Sequence, residues 1–409
     1  MTVMSAENTT EGSPGLSPRL AGVGLAAALL YPSVALFKHL PVPALAAWLM
    51  VGGVAAAVWF RFGPGLVRRF FGPRFSLSGV LTAFVLLLGS VLVIHPAIDE
   101  AGFTIAGKHV GASDADDALE VAITEMLAGR YPYRARTFLD NPITPMPGAV
   151  FLAMPFYLLG NVALQNFFWL GLLFACLIRR GIGASGGLWL AVGLFGLCPS
   201  FTYQLLQGSD YLSNGCYVLV FSVALLESVR RKSSTAWTVL WSILLGVAYS
   251  SRLNFVMASP LVFIWLLNCG GWRKALLGVL PCAFACVALT LPFWLADPEG
   301  FSPLHTVNKL DPDGTRRGLA IAVAVVAGLA SFGLGFLNRR ASLPLWIAHG
   351  FVIQAFLLAA NFFLGWLAFG SAPLAFAHFG SLALPFGLAA FAPRVFTQGE
   401  ALPASGSAS

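Results

Sequence analysis

Three aspartates lie within four residues of one another in a long polar segment: Asp114, Asp116 and Asp117. An acidic side chain there has an ordinary structural role, because it can cap a helix N-terminus and is favoured by the helix dipole. Asp116 alone can be such a cap. Three carboxylates exceed that need, because one cap suffices and neighbouring like charges repel. A carboxylate can also accept the proton of an attacking hydroxyl as a general base. We predict that at least one of the three is catalytic, with Asp117 slightly favoured over Asp116 and Asp114 behind both.

The three aspartates open a segment that has the periodicity of an amphipathic helix. Small and apolar residues recur there at three- and four-residue spacing, at Ala118, Leu119, Ala122, Ile123 and Met126. Ser113 followed by Asp116 has the spacing of a capping box, and Gly129 stands where a helix stop is expected. We predict a surface helix of about four turns, with an acidic N-terminus and with its apolar positions facing the membrane or the bundle.

Basic residues in two other places offer complementary chemistry. Ser250-Ser-Arg252-Leu-Asn254 is a polar break between two apolar blocks. A second polar segment contains His305, Lys309, Arg316 and Arg317. Such cations can stabilise a phosphate leaving group without a metal, so we expect neither a metal nor another cofactor. The structural alternatives are that Arg252 snorkels to a membrane interface and that Arg316 and Arg317 mark the start of a span.

Other ionisable groups in the apolar regions receive structural interpretations. Asp210, at the end of an apolar block, is interpreted as a helix-end polar residue rather than a ligand. His349 and His378 fall inside apolar blocks, where neutral histidine packs between helices. The six cysteines also lie in or beside apolar blocks, and we expect them to act as small apolar residues rather than as disulfides or metal ligands.

The elements that must position these residues are membrane-spanning helices. The chain has 409 residues, of which 58% are hydrophobic and only 10% charged, whereas a soluble domain has about 25% charged residues. The apolar blocks have the length of about 20 residues that a helix needs to cross a bilayer, and they lack the alternation of barrel strands. We predict an all-α polytopic bundle of about twelve spans. The spans are placed near 20–37, 42–60, 77–95, 161–178, 184–205, 212–228, 236–250, 253–268, 275–295, 318–337, 342–365 and 372–392.

The charges predict the orientation of this bundle. With 61–74 in the cytoplasm, one side collects fifteen of the 24 basic residues, as the positive-inside rule requires. These are Arg19, Arg61, Arg68, Arg69, Arg74, Arg179, Arg180, Arg230, Arg231, Lys232, Arg273, Lys274, Arg339, Arg340 and Arg394. Both termini then lie in the cytoplasm. The net charge of +7 is accounted for by topology and does not indicate a nucleic-acid partner.

Most polar residues consequently fall in two long outer connections, at about 96–147 and 296–317. Long connections in a chain that otherwise turns tightly are expected to be functional or disordered, and the helical pattern in the first favours function. The transmembrane domain is predicted to cover 19–395. The polar end at 1–18 lacks the basic region and cleavage pattern of a signal peptide and is predicted to be a disordered cytoplasmic tail. The low-complexity end at 396–409 is predicted to be a second such tail.

The first outer connection resembles membrane glycosyltransferases of the GT-C superfamily. The matching residues are Asp114-Ala-Asp116-Asp117, Leu127-Ala-Gly129-Arg-Tyr-Pro132-Tyr133 and Asn141-Pro-Ile-Thr-Pro145-Met-Pro147. The break around Arg252 is a second, weaker match. The resemblance extends over about 77–310 in layout, with its motifs in a much shorter stretch. In the family the acidic loop usually follows the first span, whereas here two additional spans precede it.

This resemblance implies a mannosyltransferase-like enzyme in the inner or plasma membrane that uses a polyprenyl-phosphate-linked sugar. The acceptor would be a glycan, a lipid or a protein. It implies a base among Asp114, Asp116 and Asp117, and a substrate site that includes Asn141, Arg252, His305, Lys309, Arg316 and Arg317. Two other functions stay open. A transporter or flippase would usually carry charged or helix-breaking residues in mid-span, and a membrane scaffold would leave the acidic helix unexplained.

Overall fold

The computed structural model describes residues 17–38, 40–71, 89–90, 103–105, 108–110, 114–304, 317–338 and 342–398. Nearly all regular structure in these ranges is helical. The α-helices are α1 (Pro18–Leu30), α2 (Val42–Phe71), α3 (Asp117–Leu127), α4 (Pro147–Leu158), α5 (Leu164–Leu177), α6 (Gly183–Leu197), α7 (Pro199–Leu206), α8 (Tyr211–Arg230), α9 (Thr235–Tyr249), α10 (Leu253–Val256), α11 (Ser259–Ala296), α12 (Arg317–Leu337), α13 (Leu343–Phe369) and α14 (Gly380–Gln398).

Shorter elements connect several of these helices. Short 3-10 helices occupy Tyr31–Phe37, Pro132–Arg134, Ser302–Leu304 and Leu374–Phe379, and a short π-helix occupies Ile178–Ile182. Two short strands, β1 (Phe103–Ile105) and β2 (Lys108–Val110), pair antiparallel, with Phe103 opposite Val110 and Ile105 opposite Lys108. The all-α prediction therefore holds apart from this small ribbon, which the sequence analysis did not foresee.

Within the described residues, seven helical segments are long and apolar enough to cross a membrane, and the number becomes eight if a bent pair is counted as one span. The bent pair is α6 and α7, which meet at 87°. Large apolar side chains are exposed along these helices, for example Val42, Phe70 and Phe284. Exposed apolar faces of this extent are expected where lipid, not water, covers the surface. Together these features are those of an integral membrane protein.

The predicted spans correspond unevenly to the helices. The predicted spans 161–178 and 236–250 match α5 and α9, which are apolar but only 14 and 15 residues long. The spans 253–268 and 275–295 are merged in a segment that breaks at Gly271, where φ is 72°. A positive φ of this kind favours glycine because it lacks a Cβ. The predicted span 77–95 lies outside the described residues except for 89–90, and the total of about twelve stays a prediction.

Both termini of the predicted transmembrane domain lie close to helix ends. Ser17 precedes α1 and its side chain accepts the N–H of Leu20, while Pro18 occupies the first helical position, where no N–H is needed. α14 continues to Gln398, three residues past the predicted boundary. The predicted disordered tails otherwise lie outside the described residues.

Helix α8 forms the centre of the bundle. In its most apolar stretch 83% of the residues are buried, compared with 11% for the segment that contains α2. The core around α8 contains large side chains such as Trp189, Trp265 and Tyr217. A second, smaller core lies beneath α3. There Leu119 and Ile123 of α3 pack with Val150 of α4 and with Tyr133 and Phe301. The apolar positions of α3 thus face the protein, one of the two arrangements that the sequence allowed.

Candidate functional site

The predicted helix is present as α3, which has 11 residues, about three turns instead of the expected four, and the acidic cluster lies at its start. The helix begins at Asp117, and Asp116 is the N-cap, whose Oδ1 accepts the N–H of Asp117 at 2.9 Å. The capping-box assignment was therefore wrong in register, because the cap is Asp116 and not Ser113. The predicted stop is confirmed, since Gly129 has φ 70° directly after the C-cap residue Ala128.

Two of the aspartates hold a tight turn against the start of α3. The turn comprises residues 137–141, and we refer to it as the 137–141 turn. Oδ2 of Asp114 accepts both the hydroxyl of Thr137 at 2.5 Å and the side-chain amide of Asn141 at 2.9 Å. Oδ2 of Asp117 accepts the backbone N–H of Phe138 at 2.8 Å. The structure thus brings Asn141, predicted from the sequence as a binding residue, into contact with the acidic cluster.

The three aspartates differ in exposure. Asp116 is only 4% exposed, whereas Asp114 and Asp117 are partly exposed. Asp116 also packs against the turn between α7 and α8, since a Cβ added to Gly208 would lie 3.0 Å from Oδ2 of Asp116. Asp116 therefore has the position of a buried cap, while Asp114 and Asp117 are accessible at the surface.

The start of α4, which follows the acidic cluster in the chain, packs directly against the polar break at Arg252. The N–H of Gly148 donates to the carbonyl oxygen of Ser250 at 3.1 Å, and the N–H of Met146 donates to the carbonyl oxygen of Ser251 at 3.4 Å. The approach is so close that a Cβ on Gly148 would lie 2.1 Å from the carbonyl oxygen of Val247. The two segments, about 100 residues apart in the chain, are consequently neighbours.

Arg252 is paired with a buried carboxylate that the sequence analysis had set aside. Its Nη2 lies 2.9 Å from Oδ1 and 2.7 Å from Oδ2 of Asp210. The side chains are 13% and 2% exposed, respectively. The guanidinium also lies over the ring of Tyr211, 5.0 Å from its centroid. The snorkelling interpretation does not describe this geometry, because the guanidinium of Arg252 is directed to a buried carboxylate. Asp210 is not only a helix-end residue, because it is the ion-pair partner of Arg252.

Further hydrogen bonds fix the Asp210–Arg252 pair to its helix and to its neighbours. Oδ2 of Asp210 accepts the side-chain amide of Asn214 at 2.9 Å, and Asn214 in turn accepts the hydroxyl of Tyr217. On the other side of the break, the side chain of Asn254 donates to Gln354 of α13 at 2.6 Å. The polar break is therefore held by α8 and α13 together.

Tyr211 connects the pair to the acidic cluster. Its hydroxyl lies within electrostatic range of Arg252, Asp210 and Asp114. The ring of His378 stacks on it with centroids 5.2 Å apart and an interplanar angle of 30°. His378, interpreted from the sequence as a packing residue, does pack, and it does so at the edge of this site.

The start of the second long connection is clamped to the first. The hydroxyl of Tyr131 donates to the carbonyl of Phe293 at 2.9 Å, and Ser302 donates to Ile143 at 2.5 Å. Nε of Arg134 lies 2.7 Å from Oδ2 of Asp297, and this hydrogen bond lowers the pKa of Asp297. Burial raises the pKa of Tyr131 to about 12, so its hydroxyl stays protonated and remains a donor. The second connection therefore leaves from beside the site.

The remaining predicted cations belong to the second connection and to the start of α12. His305, Lys309 and Arg316 lie outside the described residues. Arg317 is the first residue of α12, and its side chain is not described. Within the described residues no group of three His, Cys, Asp or Glu side chains is arranged to hold a metal ion.

The sequence analysis missed Thr137, Asp210 and Tyr211 as members of the site. One signal was available for the helix residues, because positions 210, 214 and 217 are spaced to fall on one helix face. No local signal pairs Asp210 with Arg252, which lies 42 residues away.

Comparisons with protein-family models, with curated proteins and with solved structures found no match. The functional interpretation depends on the residues of the site itself. Two partly exposed carboxylates, Asp114 and Asp117, lie near an arginine and several neutral donors. This set can accept a proton, hydrogen-bond a polyhydroxylated ligand and contact an anionic group.

Proposed function

We propose that the protein is a membrane glycosyltransferase of the GT-C type, which transfers a sugar from a polyprenyl-phosphate-linked donor to a glycan, lipid or protein acceptor. The observation that carries the proposal is the position of Tyr211, whose ring centroid lies 5.0 Å from the guanidinium carbon of Arg252 and whose hydroxyl is in electrostatic range of Asp114. A candidate general base and a candidate phosphate contact therefore border the same residue. The resemblance of both motifs to that superfamily supports the same assignment.

The geometry supports Asp117 or Asp114 as the general base, and it supports a capping role for Asp116. A general base must reach the acceptor hydroxyl, and both of these carboxylates are partly exposed. Asp117 remains the first choice, because Asp114 already accepts two side-chain donors on one oxygen.

The developing charge on the lipid phosphate needs hydrogen-bond donors and cations. In this proposal Arg252 donates from within the site. His305, Lys309, Arg316 and Arg317 would approach from the second connection, whose beginning is clamped beside Tyr133 by Ser302. Because Asp210 already neutralises much of the charge on Arg252, the second connection would contribute most of the positive charge.

The proposal includes a location. The protein would lie in the inner or plasma membrane with about twelve spans, both termini in the cytoplasm and the site on the outer face. Segregation of fifteen of the 24 basic residues to one side supports this orientation. Cysteine labelling tests it: a cysteine at Lys108 should react from outside and one at Arg231 only after permeabilisation. Reaction of the Arg231 position from outside would contradict the orientation.

The enzymatic assignment is tested by Asp117→Asn in purified protein. General-base catalysis contributes about 10²–10⁴-fold, so sugar transfer from a polyprenyl-phosphate donor should fall by about that factor. Glu125→Gln is the matched control, because Glu125 is a carboxylate of the same helix that is ion-paired with Arg130 at 2.6 Å, away from the cluster. Its activity should be unchanged. If Asp114→Asn, Asp117→Asn and the double variant all keep more than about a tenth of wild-type activity, neither residue is the base.

A transporter or flippase is the second candidate, and one observation favours it. Polar groups continue into the bundle, where Asn166 and Ser213 hydrogen-bond at 2.6 Å and the side-chain amide nitrogen of Gln165 is buried without a partner within the described residues. Buried polar residues in membrane helices mark substrate paths in transporters. Movement of a fluorescent polyprenyl-phosphate lipid across reconstituted vesicles, with no sugar transfer, would support this alternative over the enzyme.

A further inference from the structure

The carboxylate of Asp210 is one of the most buried charges in the described part of the chain. It accepts two contacts from one nitrogen of Arg252, at 2.9 and 2.7 Å, and a third from Asn214 at 2.9 Å. A buried carboxylate with this many donors is held in one orientation. It therefore also fixes the guanidinium that it contacts.

The rest of the guanidinium is held equally firmly but is not saturated. The ring of Tyr211 lies beneath it, and Tyr211 is itself stacked on His378. Asn214, which donates to Asp210, accepts the hydroxyl of Tyr217 three residues on, so the helix that begins after Asp210 holds the carboxylate in place. Nε of Arg252 is buried and has no hydrogen-bond partner within the described residues.

The guanidinium plane of Arg252 is fixed, its Nη2 is paired with Asp210, and its Nε–H is buried without a partner within the described residues. Arg252 can therefore donate a hydrogen bond to a further acceptor. The acceptor must be an oxygen that can reach a site bordered by Asp114 and Tyr211, whose hydroxyl interacts with both Asp114 and Arg252. A phosphate oxygen fits this geometry, because arginine recognises phosphate through directed N–H groups.

We propose that Asp210 is a positioning residue, which orients Arg252 so that Nε–H and Nη1 donate to a phosphate oxygen of the bound ligand. The inference rests on the proposed function for the identity of the phosphate. It adds that Arg252 acts as an oriented donor and not as a free cation, because Asp210 neutralises much of its charge. Lysine cannot reproduce this arrangement, since an ammonium group has neither the plane nor the fork.

The test is binding of three probes to the purified protein in detergent, measured by calorimetry: a short-chain isoprenyl monophosphate, the matching isoprenol and inorganic phosphate. Wild-type protein should bind the isoprenyl monophosphate. Asp210→Asn should weaken that binding roughly 10-fold, which corresponds to loss of one well-oriented charged hydrogen bond. Arg252→Lys should weaken it at least as much, and the double variant should bind no more weakly than Arg252→Lys alone, because Asp210 acts through Arg252.

Ser213→Ala is the matched control. Ser213 is buried in the same helix and hydrogen-bonds Asn166, so its loss perturbs the interior without touching the Asp210–Arg252 pair. Its affinity for the isoprenyl monophosphate should equal that of the wild type. If Asp210→Asn does not fold, Asp210→Glu decides, because it keeps the charge but moves the carboxylate by one methylene. The proposal expects weaker binding, and wild-type affinity would overturn it.

The possible outcomes separate the inference from the function beneath it. If the wild type binds the isoprenyl monophosphate and Asp210→Asn binds it equally well, the positioning role is wrong and the proposed function stands. Additive losses in the double variant would also overturn the positioning role. If the wild type binds neither phosphate probe, the glycosyltransferase proposal itself is contradicted, and the inference with it. Equal Asp210-dependent binding of inorganic phosphate supports the inference and assigns the site to phosphate in general instead of to a lipid.

Discussion

Two acidic regions lie side by side at one end of this bundle, and their carboxylates differ in exposure and in hydrogen-bond partners. At the start of α3, Asp114 and Asp117 are partly exposed and accept hydrogen bonds from neutral donors in the 137–141 turn. At the start of α8, Asp210 is buried and paired with a cation. A carboxylate of the first kind is accessible at the surface, as the proposed general base must be. A carboxylate of the second kind is committed to its partner and can act only through it.

The largest expected contrast is between Asp117→Asn and Asp210→Asn in the same stability assay. Removing one partner of a buried ion pair costs about 3–5 kcal/mol, because the other charge is left uncompensated. Asp117→Asn retains an acceptor for Phe138 and should change the unfolding free energy by less than about 1 kcal/mol. Chemical denaturation in detergent measures both. Equal destabilisation by the two substitutions would abolish the distinction between a reactive and a positioning carboxylate.

A second test breaks the contact between the start of α4 and the break that carries Arg252. Gly148 sits where a Cβ would lie 2.1 Å from a backbone oxygen and 2.2 Å from Oγ of Ser250. Gly148→Ala must therefore displace the start of α4 from the break. Overpacking of this kind costs about 1–3 kcal/mol. We expect that cost in unfolding free energy, together with a loss of sugar transfer that exceeds the fraction of protein unfolded.

Gly171→Ala is the matched control for this substitution. Gly171 lies within α5, and a Cβ there would meet nothing within 4 Å. Alanine in a helix interior is favoured over glycine by about 1 kcal/mol, so Gly171→Ala should be neutral or stabilising. Wild-type activity in Gly148→Ala would show that the close packing of Gly148 on Ser250 is not required for sugar transfer.

The sequence was informative where the interactions are local. The three- and four-residue spacing of apolar residues predicted α3, and Gly129 predicted its end, because helix periodicity and helix termination depend on adjacent residues. The Asp cluster and the Arg252 break were recognised as separate motifs for the same reason. The packing of the start of α4 on that break was not predicted, since hydrogen bonds such as Gly148 to Ser250 join residues far apart in the chain.

The roles within the site were less predictable than its members. The 137–141 turn is tied to Asp114 and Asp117 across 21 to 27 residues, and a single sequence has no feature that reports such pairing. Asp210 was assigned to a helix end because its position in the chain fits one. Its partner on another helix decides its chemistry. The structure thus changes the interpretation of Arg252 from a free cation to an oriented donor.

The smallest expected effect concerns the clamp between the two long connections, which brings the second one beside the acidic region. The Arg134 hydrogen bond lowers the pKa of Asp297 below its usual 3.8, and the N–H of Gly300 donates to the same carboxylate at 3.0 Å. Because the folded pKa is depressed, this interaction stabilises the connection fully above about pH 4. The stabilisation is lost as the pH falls through the folded value. Asp297 is exposed to solvent, so the effect should be local and small.

Amide hydrogen exchange of residues 298–304 should accelerate, relative to intrinsic rates, below pH 4 in the wild type. Arg134→Gln should bring the onset of this acceleration to higher pH, because without the arginine the pKa of Asp297 returns towards 3.8. Glu125 and Arg130 form a comparable exposed pair on α3, and Arg130→Gln should leave exchange in 298–304 unchanged. An identical onset in the wild type and in Arg134→Gln would mean that the ion pair does not hold the two connections together. The second connection would then have to reach the acidic region through the Tyr131 and Ser302 hydrogen bonds alone.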